Sequence, residues 1–176
     1  KEDLKFANLA AASVISLKGT EPLSRSFLKE QNLIEKKNLK VGFTNGCFDI
    51  IHPGHISLLK EAKKNCEYLI VGLNSDLSIK KIKGPNRPIN NQEFRMNILK
   101  SIKYVDEVII FDEADPLKLI MKISPDILIK GSDYNEEDIV GANFVKSYGG
   151  KILRSKIVKD LSTSLLLDKI KENKIK

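Results

Sequence analysis

From residue 40 onward, short aliphatic runs alternate with longer segments whose apolar residues recur at helical spacing. The runs at 40–44, 68–73, 107–111, 127–130 and 151–153 are rich in Val, Ile and Leu with little polar alternation, the pattern of strands covered on both faces in a parallel sheet. Helices are predicted between them over 54–65, 91–102, 116–123 and 136–148, and after the last strand over 162–171. The pair Gly149-Gly150 ends one helix ahead of the final strand, because glycine takes the left-handed turn of a helix C-terminus without penalty. Strand and helix in alternation predict an α/β fold, a Rossmann-like doubly wound parallel sheet of about five strands.

The first 38 residues break this alternation. A helical pattern covers 3–17, a turn covers 18–22, a second helix starts at Ser24, and the charged stretch Glu35-Lys36-Lys37-Asn38 reads as a linker. The expected organisation is a short helical extension, 1–38, ahead of one main domain, 39–176. A chain of 176 residues has room for one well-cored domain and little more.

Composition narrows the class. With 41% apolar and 30% charged residues the chain should fold as a globular domain. The net charge of +7 comes from Lys and Arg spread along the sequence, and four Tyr, seven Phe and no Trp offer few stacking platforms, so a small anionic substrate is expected and a nucleic acid is not. Cys47 and Cys66 have no C-x-x-C spacing and no companion histidines, which argues against a disulfide scaffold or zinc site and for a reducing cytoplasm. Residues 9–17 fail as a signal core because Asn8, Ser13 and Ser16 interrupt them and Glu2 and Asp3 precede them. No run approaches the roughly 18 apolar residues of a membrane span.

Chemistry concentrates in Phe43-Thr44-Asn45-Gly46-Cys47-Phe48-Asp49-Ile50-Ile51-His52-Pro53-Gly54-His55. A strand leads into a loop where Gly46 permits close backbone approach, and Gly54-His55 opens a helix whose free N–H groups and dipole favour phosphate. Two imidazoles three positions apart at a helix start can both face a triphosphate and donate to oxygens that gain charge in the transition state. Phosphoryl transfer needs positioning and charge neutralisation more than covalent help. His52 and His55 are the only histidines in the chain.

On these residues the chain resembles the cytidylyltransferase-like nucleotidyltransferase superfamily. It is most similar there to the D-glycero-β-D-manno-heptose 1-phosphate adenylyltransferase branch of lipopolysaccharide core biosynthesis. The likeness spans about 41–170 and rests also on Val71-Gly72-Leu73-Asn74-Ser75-Asp76, Lys83-Gly84-Pro85-Asn86-Arg87-Pro88-Ile89, Tyr104-Val105-Asp106-Glu107-Val108, the stretch from Pro125 through Lys130-Gly131-Ser132-Asp133-Tyr134, and Ser162-Thr163-Ser164. It implies transfer of AMP from ATP, carried with Mg²⁺, to a heptose 1-phosphate, with His52 and His55 stabilising the pentacoordinate phosphorus. Lys83 resembles a mobile basic residue on a loop that closes over the phosphates. Thr44, Gly46, Cys47, Phe48 and Gly54 are implied to hold the nucleotide. Gly131, Asp133 and Tyr134 are implied for ribose and base, Ser162, Thr163 and Ser164 for phosphate, and Asn45, Asp49, Arg87 and Arg95 for the acceptor. No residue is assigned to a dedicated metal site.

Phe6-Ala7-Asn8-Leu9-Ala10-Ala11-Ala12 and Gly19-Thr20-Glu21-Pro22 resemble the closing helix and tail of a ribokinase-like sugar kinase. Bifunctional heptose enzymes fuse such a kinase ahead of the transferase, so fusion to or association with one is implied, and a homodimer is left open. Two departures stand out: Leu165-Leu166-Leu167 replaces a basic residue after the Ser-Thr-Ser motif, and Lys103 stands where cytidylyltransferases carry arginine. The rival readings are a cytidylyltransferase for glycerol 3-phosphate or another alcohol phosphate, and a nucleotide-binding regulatory module without catalysis.

Overall fold

The computed structural model describes residues 39–132 and 135–155. Within them the chain runs β1 (Val41–Gly46), α1 (Pro53–Asn65), β2 (Tyr68–Asn74), α2 (Asp76–Lys83), α3 (Gln92–Lys100), β3 (Glu107–Phe111), α4 (Leu117–Ile123), β4 (Ile127–Gly131), α5 (Ala142–Ser147) and β5 (Lys151–Ser155). All five strands are parallel, in the order β3-β2-β1-β4-β5. This is the doubly wound α/β architecture that the aliphatic runs demand, because the central strands β1, β2 and β4 are buried on both faces, while the edge strand β5 is partly exposed.

One face of the sheet packs against α1 and α3 through Leu59, Ala62, Leu69, Val71, Leu99 and Ile129. The other packs against α4 and α5 through Phe43, Ile70, Ile120, Ile123, Leu128 and Val145. Gly42 lets the end of α1 press onto β1, where a Cβ would come within 2.6 Å of Cys66 Sγ. Each fully buried aliphatic side chain contributes roughly 1.5–3 kcal/mol, so these two layers supply the main driving force.

Four strands run further than the aliphatic runs predict, to Gly46, Asn74, Gly131 and Ser155. Ladder bonds belong to the backbone and continue past the last apolar residue into the polar rim. Helix α2 was not expected. It is an eight-residue helix started by Ser75, whose hydroxyl accepts from Ser78 N–H at 3.1 Å, and it is too short to display a clear period. The helix expected over 136–148 is broken: a 3₁₀ turn covers Glu136–Asp138, and Gly141, at φ 86°, separates it from α5. The helices expected over 3–17, from Ser24, and over 162–171 lie outside the described residues.

Candidate active site at the sheet switch point

Strand β1 sits between β2 and β4, so the chain order reverses there and a crevice opens beyond the C-terminal ends of β1 and β4, where ligands of such sheets bind. The 47–52 loop and the first turn of α1 form one wall. His52 is the N-cap residue, Pro53 takes the first helical position, and the first turn carries no acidic residue. Proline there costs nothing because its missing N–H would be unpaired anyway, and the uncompensated dipole favours an anion. Gly54 adds no side chain to that turn.

The imidazoles lie together, with ring centroids 3.8 Å apart. The backbone N–H of His52 donates to His55 Nδ1 at 3.4 Å. A neutral His55 that accepts at Nδ1 carries its proton on Nε2, which makes that atom a donor. Burial, helped by the charges of His52 and Lys83, depresses the His55 pKa to about 4, and burial lowers that of His52 as well. Both rings are therefore neutral donors near pH 7. The buried Nδ1 of His52 has no hydrogen-bond partner among the described residues.

The loop before them is held under strain. Phe48 is buried with φ 45°, a left-handed conformation uncommon for a bulky side chain and costing of order 1–3 kcal/mol. Its ring packs 5.1 Å from that of His55, and a Cβ on Gly46 would approach that ring at 3.2 Å. Cys47 has its thiol pushed up by burial against the pull of Lys83, Arg95 and Arg87, so it stays protonated and is no nucleophile. Thr44 is fully buried at the end of β1, its hydroxyl without a hydrogen-bond partner among the described residues.

Two carboxylate–arginine pairs fix the surroundings. Asp49, also buried, accepts from Arg87 Nε at 2.8 Å and from the N–H groups of Ile89 and Asn90 at 2.9 Å each. Arg87 Nη2 lies 2.7 Å from the same carboxylate, an ion-pair contact outside hydrogen-bond geometry. Burial alone would raise the Asp49 pKa, but the Asn90 and Ile89 N–H bonds and the Arg87 guanidinium outweigh it and hold the pKa below the ordinary value. Arg95 is wholly buried. It donates to Asn90 O at 2.9 Å, Cys47 O at 2.7 Å, Asn74 O at 2.8 Å and Asp76 Oδ1 at 2.7 Å.

These pairs correct the sequence reading. Arg95 faces inward and spends four of its five N–H donors on the protein, so it ties the β1–α1 loop to β2, α2 and the 84–90 segment instead of reaching an acceptor. Asp49 likewise serves as the anchor of that segment. Lys83 ends helix α2 instead of riding on a loop; it is exposed, and its charge reaches His55 and Cys47. Lys103 precedes β3 at the strand-start rim, far from the crevice, with its ammonium 5.3 Å from the Tyr104 ring centre. Its identity therefore says nothing about the base.

Asn45, near the C-terminal end of β1, keeps company with a residue to which the sequence reading gave no role. Lys130 Nζ donates to Asn45 Oδ1 at 2.6 Å; a cation at the end of the aliphatic run of β4 was the available signal. Gly131 closes β4, Ser132 N–H donates to Ser155 O at 2.9 Å, and Arg154 Nη2 to Ser132 O at 3.0 Å. Ile51, His52, Pro53, Ile56, Ser57 and Lys60 line an open depression of about 570 Å³ on the flank of α1. Asp133, Tyr134, Ser162, Thr163 and Ser164 lie outside the described residues.

Residues 43–170 match the family described as Cytidylyltransferase-like. The chain is 41% identical to the Bifunctional protein HldE of Caulobacter vibrioides, over 93% of this chain and 38% of that protein. To the protein of the same name from Hyphomonas neptunium it is 44% identical, over 94% of this chain and 34% of that one. The chain thus spans little more than a third of these relatives. Among solved structures, the lipopolysaccharide core biosynthesis protein from Thermoplasma volcanium superposes with a TM-score of 0.57 at 30% identity, covering 69% of this chain and 98% of that one. Pantothenate synthetase from Thermus thermophilus, at 16% identity and a TM-score of 0.50 over 69% of this chain and 57% of that one, shares the fold.

Proposed function

The chain belongs to the cytidylyltransferase-like family, and on that premise we propose that it transfers AMP from ATP to D-glycero-β-D-manno-heptose 1-phosphate, releasing pyrophosphate and giving ADP-heptose for lipopolysaccharide core biosynthesis. The observation that carries the reading is the pair of neutral imidazoles, 3.8 Å apart, at the N-terminus of α1 beside the switch-point crevice. The choice of acceptor draws its support from the likeness to HldE proteins and to the lipopolysaccharide core protein. The fused sugar kinase and the cytoplasmic location belong to the same proposal.

A phosphate oxygen of the sugar phosphate attacks the α-phosphorus, and the bond from that phosphorus to the bridging oxygen breaks on the opposite side. The electron pair leaves with pyrophosphate. His55 Nε2–H and the α1 N–H groups donate to oxygens that gain charge as the phosphorus becomes pentacoordinate, and Lys83 neutralises the triphosphate. Gly131, Asp133 and Tyr134 hold ribose and base, and Ser162, Thr163 and Ser164 the phosphates.

Among the described residues no three His, Cys, Asp or Glu side chains form a metal-holding group, and Asp49 and Asp76 are spent on arginines. Mg²⁺ would accompany the triphosphate, where it would supply charge neutralisation. Pyrophosphate release measured with four nucleoside triphosphates against several sugar and alcohol phosphates tests the proposal. ATP with the heptose 1-phosphate should exceed CTP with glycerol 3-phosphate in kcat/KM by up to roughly 10⁴-fold, since a base pocket built for one hydrogen-bonding edge leaves polar groups unpaired with another. A preference for CTP, or no turnover with any aldose 1-phosphate, overturns it.

A further inference from the structure

A nucleotidyltransferase needs a seat for its acceptor, and most of the residues that the sequence pattern suggests for one are engaged elsewhere. Asp49 and Arg87 pair with each other, and Arg95 is spent on three carbonyls and Asp76. The residues proposed for ribose and base follow β4, to one side of β1. That leaves the other side, over β2 and β3, for the sugar phosphate.

Bonds to the sheet orient the two flanks of α1. Glu61 accepts from the hydroxyl of Ser155, the last residue of β5, so its flank faces β4 and β5. Lys63 pairs with Asp106, just ahead of β3, at 2.5 Å. Ile56, Lys60 and Lys63 share one helical stripe, at i, i+4 and i+7, so that flank faces β2 and β3. It carries the open depression of about 570 Å³, a volume in the range of small-molecule sites. His52 lies at the end nearest the helix N-terminus, Ile51, Pro53 and Ile56 make the apolar wall, and Ser57 and Lys60 supply the polar groups. Among the described residues neither Ser57 nor Lys60 makes a side-chain hydrogen bond or ion pair.

We propose that this depression is the acceptor subsite, in which the sugar phosphate lies along α1 with its phosphate at His52 and its far hydroxyls at Ser57 and Lys60. The proposal rests on the nucleotidyl-transfer reading and deepens it by naming the residues that select the acceptor. Lys60 stands two turns along α1 from His52, about 10 Å of helix rise, which matches a sugar that is longer than the phosphate it carries. Pro53 and Ile56 offer an apolar surface to the C–H face of a pyranose ring, while a few polar groups at fixed places set its orientation. His52 borders both the depression and the crevice, so an acceptor phosphate beside it is next to the proposed triphosphate site.

Steady-state pyrophosphate release by the full chain, with each substrate varied separately, tests this. Lys60→Met should raise KM for the heptose 1-phosphate roughly 10-fold, the loss of one hydrogen bond from a charged donor. KM for ATP and kcat should stay within about 2-fold, as expected when a contact holds the acceptor equally in the ground and transition states. Lys60→Arg, which keeps a cationic donor, should recover most of the loss. Ile56→Trp, which fills the depression, should raise the same KM more than Lys60→Met does. A lost surface charge acting only at long range would weaken the more highly charged ATP at least as much. An unchanged KM for the sugar phosphate in Lys60→Met, or equal rises for both substrates, therefore overturns the proposal. Failure of the transferase reading shows differently, as a wild type that releases no pyrophosphate with any aldose 1-phosphate, and that result removes both; the subsite alone fails when the wild type is active and the variants keep its KM.

Discussion

At the scale of single residues, the site works by assigning similar side chains to different tasks. On the proposed reading His52 and His55 donate to oxygens that gain charge in the transition state, so His52→Ala and His55→Ala should each reduce kcat by on the order of 10²-fold while nucleotide affinity changes less. Near-normal turnover in either variant would remove that residue from the mechanism. The buried neutral state of His55 also predicts a pH dependence of stability. Its pKa is about 4 in the folded chain against an ordinary 6.5, so between those values the unfolded chain binds the extra proton. Stability is retained above pH 6.5 and lost as pH falls toward 4. Urea midpoints at pH 7 and pH 5 should drop more for the wild type than for His55→Gln, and parallel losses would contradict a buried neutral imidazole. Arg95 has the opposite character: an arginine that the sequence places near phosphates spends its fork on three carbonyls and Asp76. A one-dimensional pattern gives its identity and position but not the direction of its side chain.

At the scale of elements, the two ends of the sheet divide function from stability. The stretch Tyr104-Val105-Asp106-Glu107-Val108, conspicuous in the sequence, stitches the strand-start rim. Asp106 accepts from Leu69 N–H at 2.6 Å and from Lys63 Nζ at 2.5 Å. Glu107, at the start of β3, accepts from the Tyr68 hydroxyl at 3.3 Å. Burial pushes the Glu107 pKa up to about 7 from 4.5, against the pull of Tyr68 and Lys100, and burial beside Glu107 and Asp106 raises that of Tyr68. Here the folded chain binds the extra proton between pH 4.5 and 7, so stability present at low pH is lost as pH rises through that window. Glu107→Gln keeps a hydrogen-bond acceptor for Tyr68 without the buried charge. It should melt higher than the wild type at pH 8 and match it at pH 5; a variant less stable at pH 8 would show that the carboxylate is compensated there.

At the scale of the whole molecule, every described candidate site residue lies between Thr44 and Gly131, on one sheet or on the loops and helices that follow its strands. We therefore expect a chain beginning at Leu39 to retain pyrophosphate release and cooperative melting; an insoluble or inactive product would assign the first 38 residues to the core of the transferase or to an assembly contact. The sequence by itself determined the class of sheet and marked the junction where the chemistry is proposed. Aliphatic runs can be buried only on both faces of parallel strands, and two histidines beside glycine at a strand-to-helix junction have few structural alternatives. Strand order was beyond it, because a register between β1 and β4 joins residues 85 apart, as in the bond from Lys130 to Asn45. So were helix α2, whose start depends on one serine hydroxyl, and the break at Gly141, where a Cβ would meet Ile120 Cδ1 at 2.7 Å. Only the tertiary structure decided where these cations point: Arg87 is drawn inward by the buried Asp49, since a buried carboxylate needs a partner, Arg95 is buried against three carbonyls and the partly exposed Asp76, and Lys130 is brought beside Asn45 by the pairing of two strands far apart in the chain.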